Sequence, residues 1–270
     1  MSAPYRLKTA GLTINLRREG EGPPLLFLGG SNFDLSIDAP VFDSRLPEHF
    51  SVAAADPRGL GATEAPEGDW SMADYAQDAL DLLDALAWEH VDILGESFGA
   101  MVAMHLAALA PQRVHRLALA AGSAGGAGGS SYPVQKILEI DDAHLRASTA
   151  LEILDTRFKA LRLSSPDEAE ILIRARMTAD MRFQDSRDNA RGYPRLLAAR
   201  ADHDAWHLLP NISTPTLVFC GVHDAQAPPE RAENIVRAMP DATLHRLDGG
   251  HSHCFATSEA VDIILTQWRN

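Results

Sequence analysis

Cysteine is nearly absent from this 270-residue chain, which carries only Cys220 and Cys254. Two cysteines cannot build a disulfide framework, and a reducing cytoplasm suits them as small buried thiols. Positive charge is also short. Lys and Arg total 24 against 37 acidic residues, a formal net charge of −13. That balance argues against a nucleic-acid or anionic-membrane partner, because either needs a positive surface. Lysine itself is confined to Lys8, Lys136 and Lys159. With abundant alanine, this bias suggests a GC-rich genome and carries no mechanism. No apolar run reaches membrane-spanning length. No apolar block follows Arg6 and Lys8, so no secretory leader is evident and a cytoplasmic location is expected.

Two phosphate-binding signatures are incomplete as well. Gly59-Leu60-Gly61 lacks a third glycine at the right spacing, and Pro57 and Thr63-Glu64-Ala65-Pro66 do not open a helix. A structural turn held by Asp56 and Arg58 fits better. The stretch Gly122 to Ser130 is rich in glycine, but no Gly-Lys-Ser/Thr follows it. It reads as a flexible linker.

What is present is an ordinary globular composition, 46% hydrophobic and 23% charged, long enough for one large domain or a core with an insert. Leu12 to Leu16 alternates like an edge strand or hairpin arm. Short buried strands are expected at Leu25–Leu28, Ser51–Ala55, Val91–Leu94, Val114–Ala120, Thr216–Cys220 and Thr243–Leu247, with helices between them. Ser71 followed by Asp74 reads as a capping box opening a helix that runs to about Trp88. Alternating strands and helices imply βαβ units and a mostly parallel sheet. From about Tyr132 to Arg200 no strand is expected, and helical periodicity covers Leu145–Leu161, Glu168–Phe183 and Asn189–Ala201. The expected division is an α/β core at 1–122 and 206–270 with a helical insertion at 123–205. Met177, Met181, Phe183 and Tyr193 could line a pocket beneath it, although apolar residues at helical spacing are more often core.

The central stretch is Gly95-Glu96-Ser97-Phe98-Gly99. It joins a short apolar strand to a helix that is apolar almost all round. In so tight a turn the neighbours of the serine must lack bulk, so Gly-x-Ser-x-Gly projects the Ser97 hydroxyl above the sheet. Asp224 and His251 each stand in a loop directly after a late strand. Parallel strands bring their carboxyl ends to one edge, so the three residues can meet despite their distance in sequence. The order Ser, Asp, His is the one expected of an α/β hydrolase.

On these residues the sequence resembles α/β-hydrolase-fold enzymes over essentially the whole chain outside the insertion. The likeness also rests on Gly29-Gly30-Ser31, Asp56-Pro57-Arg58-Gly59-Leu60-Gly61, Gly221-Val222-His223-Asp224 with Pro228, and Gly249-Gly250-His251. It is similar to small bacterial esterases and lactonases of the 3-oxoadipate enol-lactonase type, partly through Ala201-Asp202-His203-Asp204 before the strand Thr216–Cys220. One departure is Gly29-Gly30, where many relatives have His-Gly. The resemblance implies an eight-stranded-type sheet, a cap in the insertion, no cofactor and a small-molecule substrate, and it leaves open monomer or homodimer.

Chemistry assigns the expected roles. Ser97 needs a base to attack a carbonyl. His251 would take its proton, and Asp224 would fix the imidazole tautomer. The backbone N–H groups of Phe98 and Ser31 would bind the oxyanion. Gly30, Asn32 and Glu96 are further candidates for substrate contact. His253 is a rival base, and Asp248 a weaker rival acid. His203, Asp204 and His207 have ligand-like spacing, but they read as part of a polar helix and no metal is expected. The leading expectation is hydrolysis of an ester, lactone or related acyl bond of a small, mostly apolar substrate. A carbon–carbon bond hydrolase of ring-cleavage products is the alternative, although those relatives often carry Asn and Trp where Glu96 and Ser252 stand. A non-catalytic ligand-binding homologue on the same scaffold is the third reading.

Overall fold

The central strands of this chain are apolar on both faces because both faces are covered. A computed structural model describes residues 2–36 and 39–268; positions 1, 37, 38, 269 and 270 of the expected core unit lie outside them. The strands are β1 (Tyr5–Lys8), β2 (Thr13–Glu19), β3 (Pro24–Leu28), β4 (Ser51–Ala55), β5 (Val91–Glu96), β6 (Val114–Ala120), β7 (Thr216–Gly221) and β8 (Ala242–Leu247). The helices are α1 (Pro40–Asp43), α2 (Met72–Ala85), α3 (Phe98–Leu109), α4 (Gln135–Leu138), α5 (Ala143–Leu154), α6 (Phe158–Ser164), α7 (Pro166–Asp185), α8 (Arg187–Ala201), α9 (Pro229–Ala238) and α10 (Glu259–Gln267). This is the α/β hydrolase architecture, an eight-stranded sheet in the order β1-β2-β4-β3-β5-β6-β7-β8. The β1–β2 and β2–β4 pairs are antiparallel, and every later pair is parallel.

The two-residue period of each strand divides its apolar side chains between two cores. Leu26, Ala53, Ile93, Leu117 and Val218 meet α2, α3 and α9 on one face. Leu25, Phe27, Val52, Leu94, Ala118 and Phe219 meet the α1 region and α10 on the other. The expected capping box is present: Ser71 Oγ accepts from the Asp74 N–H, and the Asp74 carboxylate accepts from the Ser71 N–H. Asp56 holds its loop as expected, accepting from Leu35 N, Ala62 N and Asn15 Nδ2. Arg58 reaches instead to Asp78 on α2, with Nε 2.6 Å from its carboxylate.

The Leu12–Leu16 segment is a hairpin arm, one of its two expected readings: β2 pairs antiparallel with β1 and also with β4, so the sheet edge is β1. Three expectations are corrected. Gly122 to Ser130 is ordered and packed: Gly125 bridges to Asp204, and a 3-10 turn covers Gly126–Gly128. Its glycines are there for room, since a Cβ on Gly125 would strike the His203 carbonyl and one on Gly128 the Trp206 ring. The helix expected over Leu145–Leu161 is two helices, α5 and α6. It breaks because the Ile153 and Leu154 carbonyls accept from Ala225 N and His251 N, and Thr156 N donates to the His223 carbonyl. Finally, His203 to His207 is not helical, since α8 ends at Ala201. Among the described residues, no helix is long and apolar enough to cross a membrane.

Candidate active site

Ser97 stands between β5 and α3 with φ 55° and ψ −112°, a conformation that non-glycine residues rarely adopt. The turn closes only because its neighbours are small. A Cβ on Gly99 would run into the Leu28 carbonyl, and one on Gly95 would lie 2.6 Å from the Gly99 carbonyl oxygen. Ser97 N donates to the Ala120 carbonyl at 2.8 Å, which ties the turn to β6. The Phe98 N–H heads α3 and meets no acceptor among the described residues, as is usual for the first N–H of a helix. The Ser31 N–H, in the loop after β3, is likewise without one. Gly30 of that loop lies against the serine: a Cβ there would be 3.7 Å from Ser97 Cβ.

The three expected side chains meet. His251 Nε2 is 2.8 Å from Ser97 Oγ, and His251 Nδ1 is 2.7 Å from Asp224 Oδ2. All three are buried. The second Asp224 oxygen accepts from the backbone N–H groups of Gln226 and Ala227 at 2.7 and 2.9 Å. With its carboxylate so occupied, Asp224 can face His251 in only one orientation. His251 Nδ1 therefore carries the proton, and Nε2 offers a lone pair.

The rivals are placed elsewhere. His253 is buried and donates from Nδ1 to the Gly250 carbonyl at 3.0 Å, and burial holds its pKa below the usual histidine value. Asp248 is exposed and paired with Arg157 and His223. His203 accepts from His105 Nε2 at Nδ1 and donates from Nε2 to the Ser123 carbonyl, and burial pushes its pKa down to about 4. Among the described residues, no group of three His, Cys, Asp or Glu side chains is placed to hold a metal ion.

A cavity of about 310 Å³ opens over Ser97. Gly30, Ser31, Asn32, Glu96 and Tyr193 line it, as the sequence suggests. Met177 and Met181 do not. Met177 packs on the small core of Ala147, Phe158, Ala169 and Ile173, while Met181 is 54% exposed. One residue along a helix turns the side chain by about 100°, so α7 presents Arg176 to the cavity instead. Burial pushes the Glu96 carboxyl up to about 7, while His251 pulls the other way. Burial also raises the Tyr193 hydroxyl, opposed by Arg176, Arg200 and Ser31.

Gln226 and Arg176 are among the lining residues that escaped the sequence reading. Gln226 places its amide Nε2 2.7 Å from His251 Nε2, and its position two residues after Asp224 was the available signal. Arg176 was hidden by the ambiguity of helix facing.

Residues 23–141 fit the family model described as the alpha/beta hydrolase fold. The 2-hydroxymuconate semialdehyde hydrolase of Pseudomonas putida is 33% identical over 249 residues, 87% of this chain and 83% of that one. A hydrolase from Pseudomonas aeruginosa PA01 superposes with TM-score 0.77 at 26% identity, covering 100% and 99% of the two chains. The enol-lactonase from Burkholderia xenovorans LB400 superposes with TM-score 0.74 at 24% identity, over 98% of each chain. The chain belongs to the alpha/beta hydrolase fold family. Its relatives and structural neighbours include lactonases, esterases and hydrolases of ring-cleavage products.

Proposed function

We propose that this protein is a serine hydrolase that cleaves an ester, lactone or related acyl bond through an acyl-enzyme on Ser97. The observation that carries this reading is one imidazole held between the Ser97 hydroxyl at 2.8 Å and the Asp224 carboxylate at 2.7 Å. His251 Nε2 takes the Ser97 proton as Oγ attacks the carbonyl, and Asp224 stabilises the imidazolium. The oxyanion that develops is bound by the Phe98 and Ser31 N–H groups, each worth about 3 kcal/mol of barrier in comparable sites. The imidazolium then protonates the leaving oxygen. Water, deprotonated by the same nitrogen, releases the acid.

Helices α4 to α8, lying between β6 and β7, act in this reading as the cap of a two-part enzyme. They supply Val134, Ile137 and Leu138 with Ala150 and Leu154 as an apolar wall, and Arg176 and Tyr193 as a polar one. A small substrate with an apolar body and one polar end suits that lining. No cofactor is needed.

The similarity to a 2-hydroxymuconate semialdehyde hydrolase favours a second reading on the same residues, hydrolysis of a carbon–carbon bond next to a carbonyl. Assay of nitrophenyl esters, lactones and a ring-cleavage dienoate side by side separates the two. In either case Ser97→Ala is expected to lower turnover by at least 1,000-fold with the circular-dichroism spectrum unchanged, and to abolish labelling by a fluorophosphonate. Activity within tenfold of wild type would remove Ser97 from the mechanism.

A further inference from the structure

Arg200 closes α8 with its guanidinium inside the protein, 6% exposed. A buried cation is costly unless an anion or a full set of acceptors compensates it. Arg200 has neither. Its Nη2 donates to Ser131 Oγ at 2.7 Å and to the Tyr132 carbonyl at 3.1 Å. Its Nε is fully buried without an acceptor, Nη1 meets none, and no carboxylate among the described residues pairs with it.

The space beside it is a cavity of about 250 Å³, separate from the one over Ser97. Its polar lining is Ser123, Ser130, Ser131, Gln135, Arg200 and His203. Ser131 and Ser123 accept through Oγ, from Arg200 and from Ser131 N respectively, so each hydroxyl proton is free to donate. Gln135 Oε1 is buried with no partner. With no hydrogen bond fixing the amide, its reversal puts an N–H₂ group there. The cavity therefore concentrates donors around one unpaired positive charge.

We propose that this cavity is a binding site for a small oxyanion, a carboxylate or inorganic phosphate, held by Arg200 with Ser123, Ser131 and Gln135. The site joins the loop leaving β6 to the end of α8, the two places where the helical segment departs from and returns to the sheet. Occupancy ties these crossing points together, and it does so independently of the chemistry at Ser97.

The test is thermal unfolding of the full chain in a chloride buffer, titrated with sodium phosphate or sodium acetate at constant ionic strength. The wild type is expected to gain about 3 °C in a saturable curve with at least one of the two anions. Saturation by acetate alone identifies a carboxylate site, and by phosphate alone a phosphate site. Arg200→Met should abolish the gain and Gln135→Met should weaken it several-fold, so Gln135→Met carries the test if Arg200→Met does not fold. Arg176→Met, which alters the other cavity, should leave the gain intact. A linear response equal to that in chloride, an equal gain in Arg200→Met or Gln135→Met, or loss of the gain in Arg176→Met would each overturn the site.

Discussion

At the residue scale, two side chains around His251 compete for one lone pair. With Nδ1–H facing Asp224, Nε2 can accept one strong hydrogen bond, yet Ser97 Oγ at 2.8 Å and the Gln226 amide at 2.7 Å both reach it. Whenever the amide holds Nε2, the serine has no base. Gln226→Met keeps the length and removes the donor, so fluorophosphonate labelling of Ser97 should quicken about two- to fivefold, the scale of one modest hydrogen bond. A tenfold fall in the labelling rate would mean that the amide assists His251 instead. Glu96 gives a second prediction. Its folded pKa, about 7 because of burial, lies above the ordinary 4.5. Between those values the native state keeps a proton that the unfolded state has lost, so stability falls as pH rises through the window and levels off above about 7. Glu96→Gln does not titrate. Urea unfolding should find the variant and wild type matched near pH 4.5, and the variant more stable by ~1–3 kcal/mol at pH 8. Equal midpoints at pH 8 would return the carboxyl to an ordinary value.

At the scale of elements, α8 is fastened to the loops after β3 and β4. Asn189 Nδ2 donates to the buried Asp34 carboxylate at 2.6 Å, and its Oδ1 accepts from Gly61 N at 2.7 Å. Three residues further on, Gly192 lies so close to the Gly59 backbone that a side chain there would collide with it. Asn189→Leu strands both partners, at a cost of about 1–3 kcal/mol for each buried group. Because Tyr193 rides on the same helix, KM should rise more than kcat falls, and limited proteolysis should cut faster within residues 155–201. An unchanged KM and digestion pattern would show that this anchor is dispensable. Such anchoring explains what could be read from the sequence and what could not. Ser71 and Asp74 were legible because their bonds are local. Ser97, Asp224 and His251 were legible because a parallel sheet delivers its strand ends to one edge whatever the loops do. The Gly59–Gly61 loop read as a turn, but its service as the seat of α8 depends on residues more than a hundred positions away. The break after Leu154 has the same origin, its carbonyls being claimed by the loops that carry Asp224 and His251. Glycines that make room and glycines that give flexibility look identical in one dimension, which is why Gly122 to Ser130 misled. The edge strand β1 escaped because it is short and largely exposed, with no buried face to impose a pattern.

At the scale of the whole molecule, the excess of acid over base sets the field through which substrate approaches. The net charge is −13, and the cavity over Ser97 offers little to reverse it. Among the described residues, Arg176 is the one Arg or Lys in the lining, and its Nε is 2.7 Å from Asp180. Glu96 adds negative charge as pH passes about 7. Long-range repulsion should therefore outweigh the local cation for an anionic substrate at low ionic strength. Salt screens the distant charges first, since the Debye length shrinks to about 10 Å at 0.1 M. For an ester bearing a remote carboxylate, kcat/KM should rise about two- to fivefold between 20 and 200 mM salt. A neutral ester of the same size should not respond, and one bearing an ammonium group should fall. Arg176→Met should steepen the rise for the carboxylate, because it removes the lining's guanidinium. If the carboxylate ester instead slows as salt is added, Arg176 dominates the field at the mouth of the cavity, and the acidic surface is too far away to govern entry.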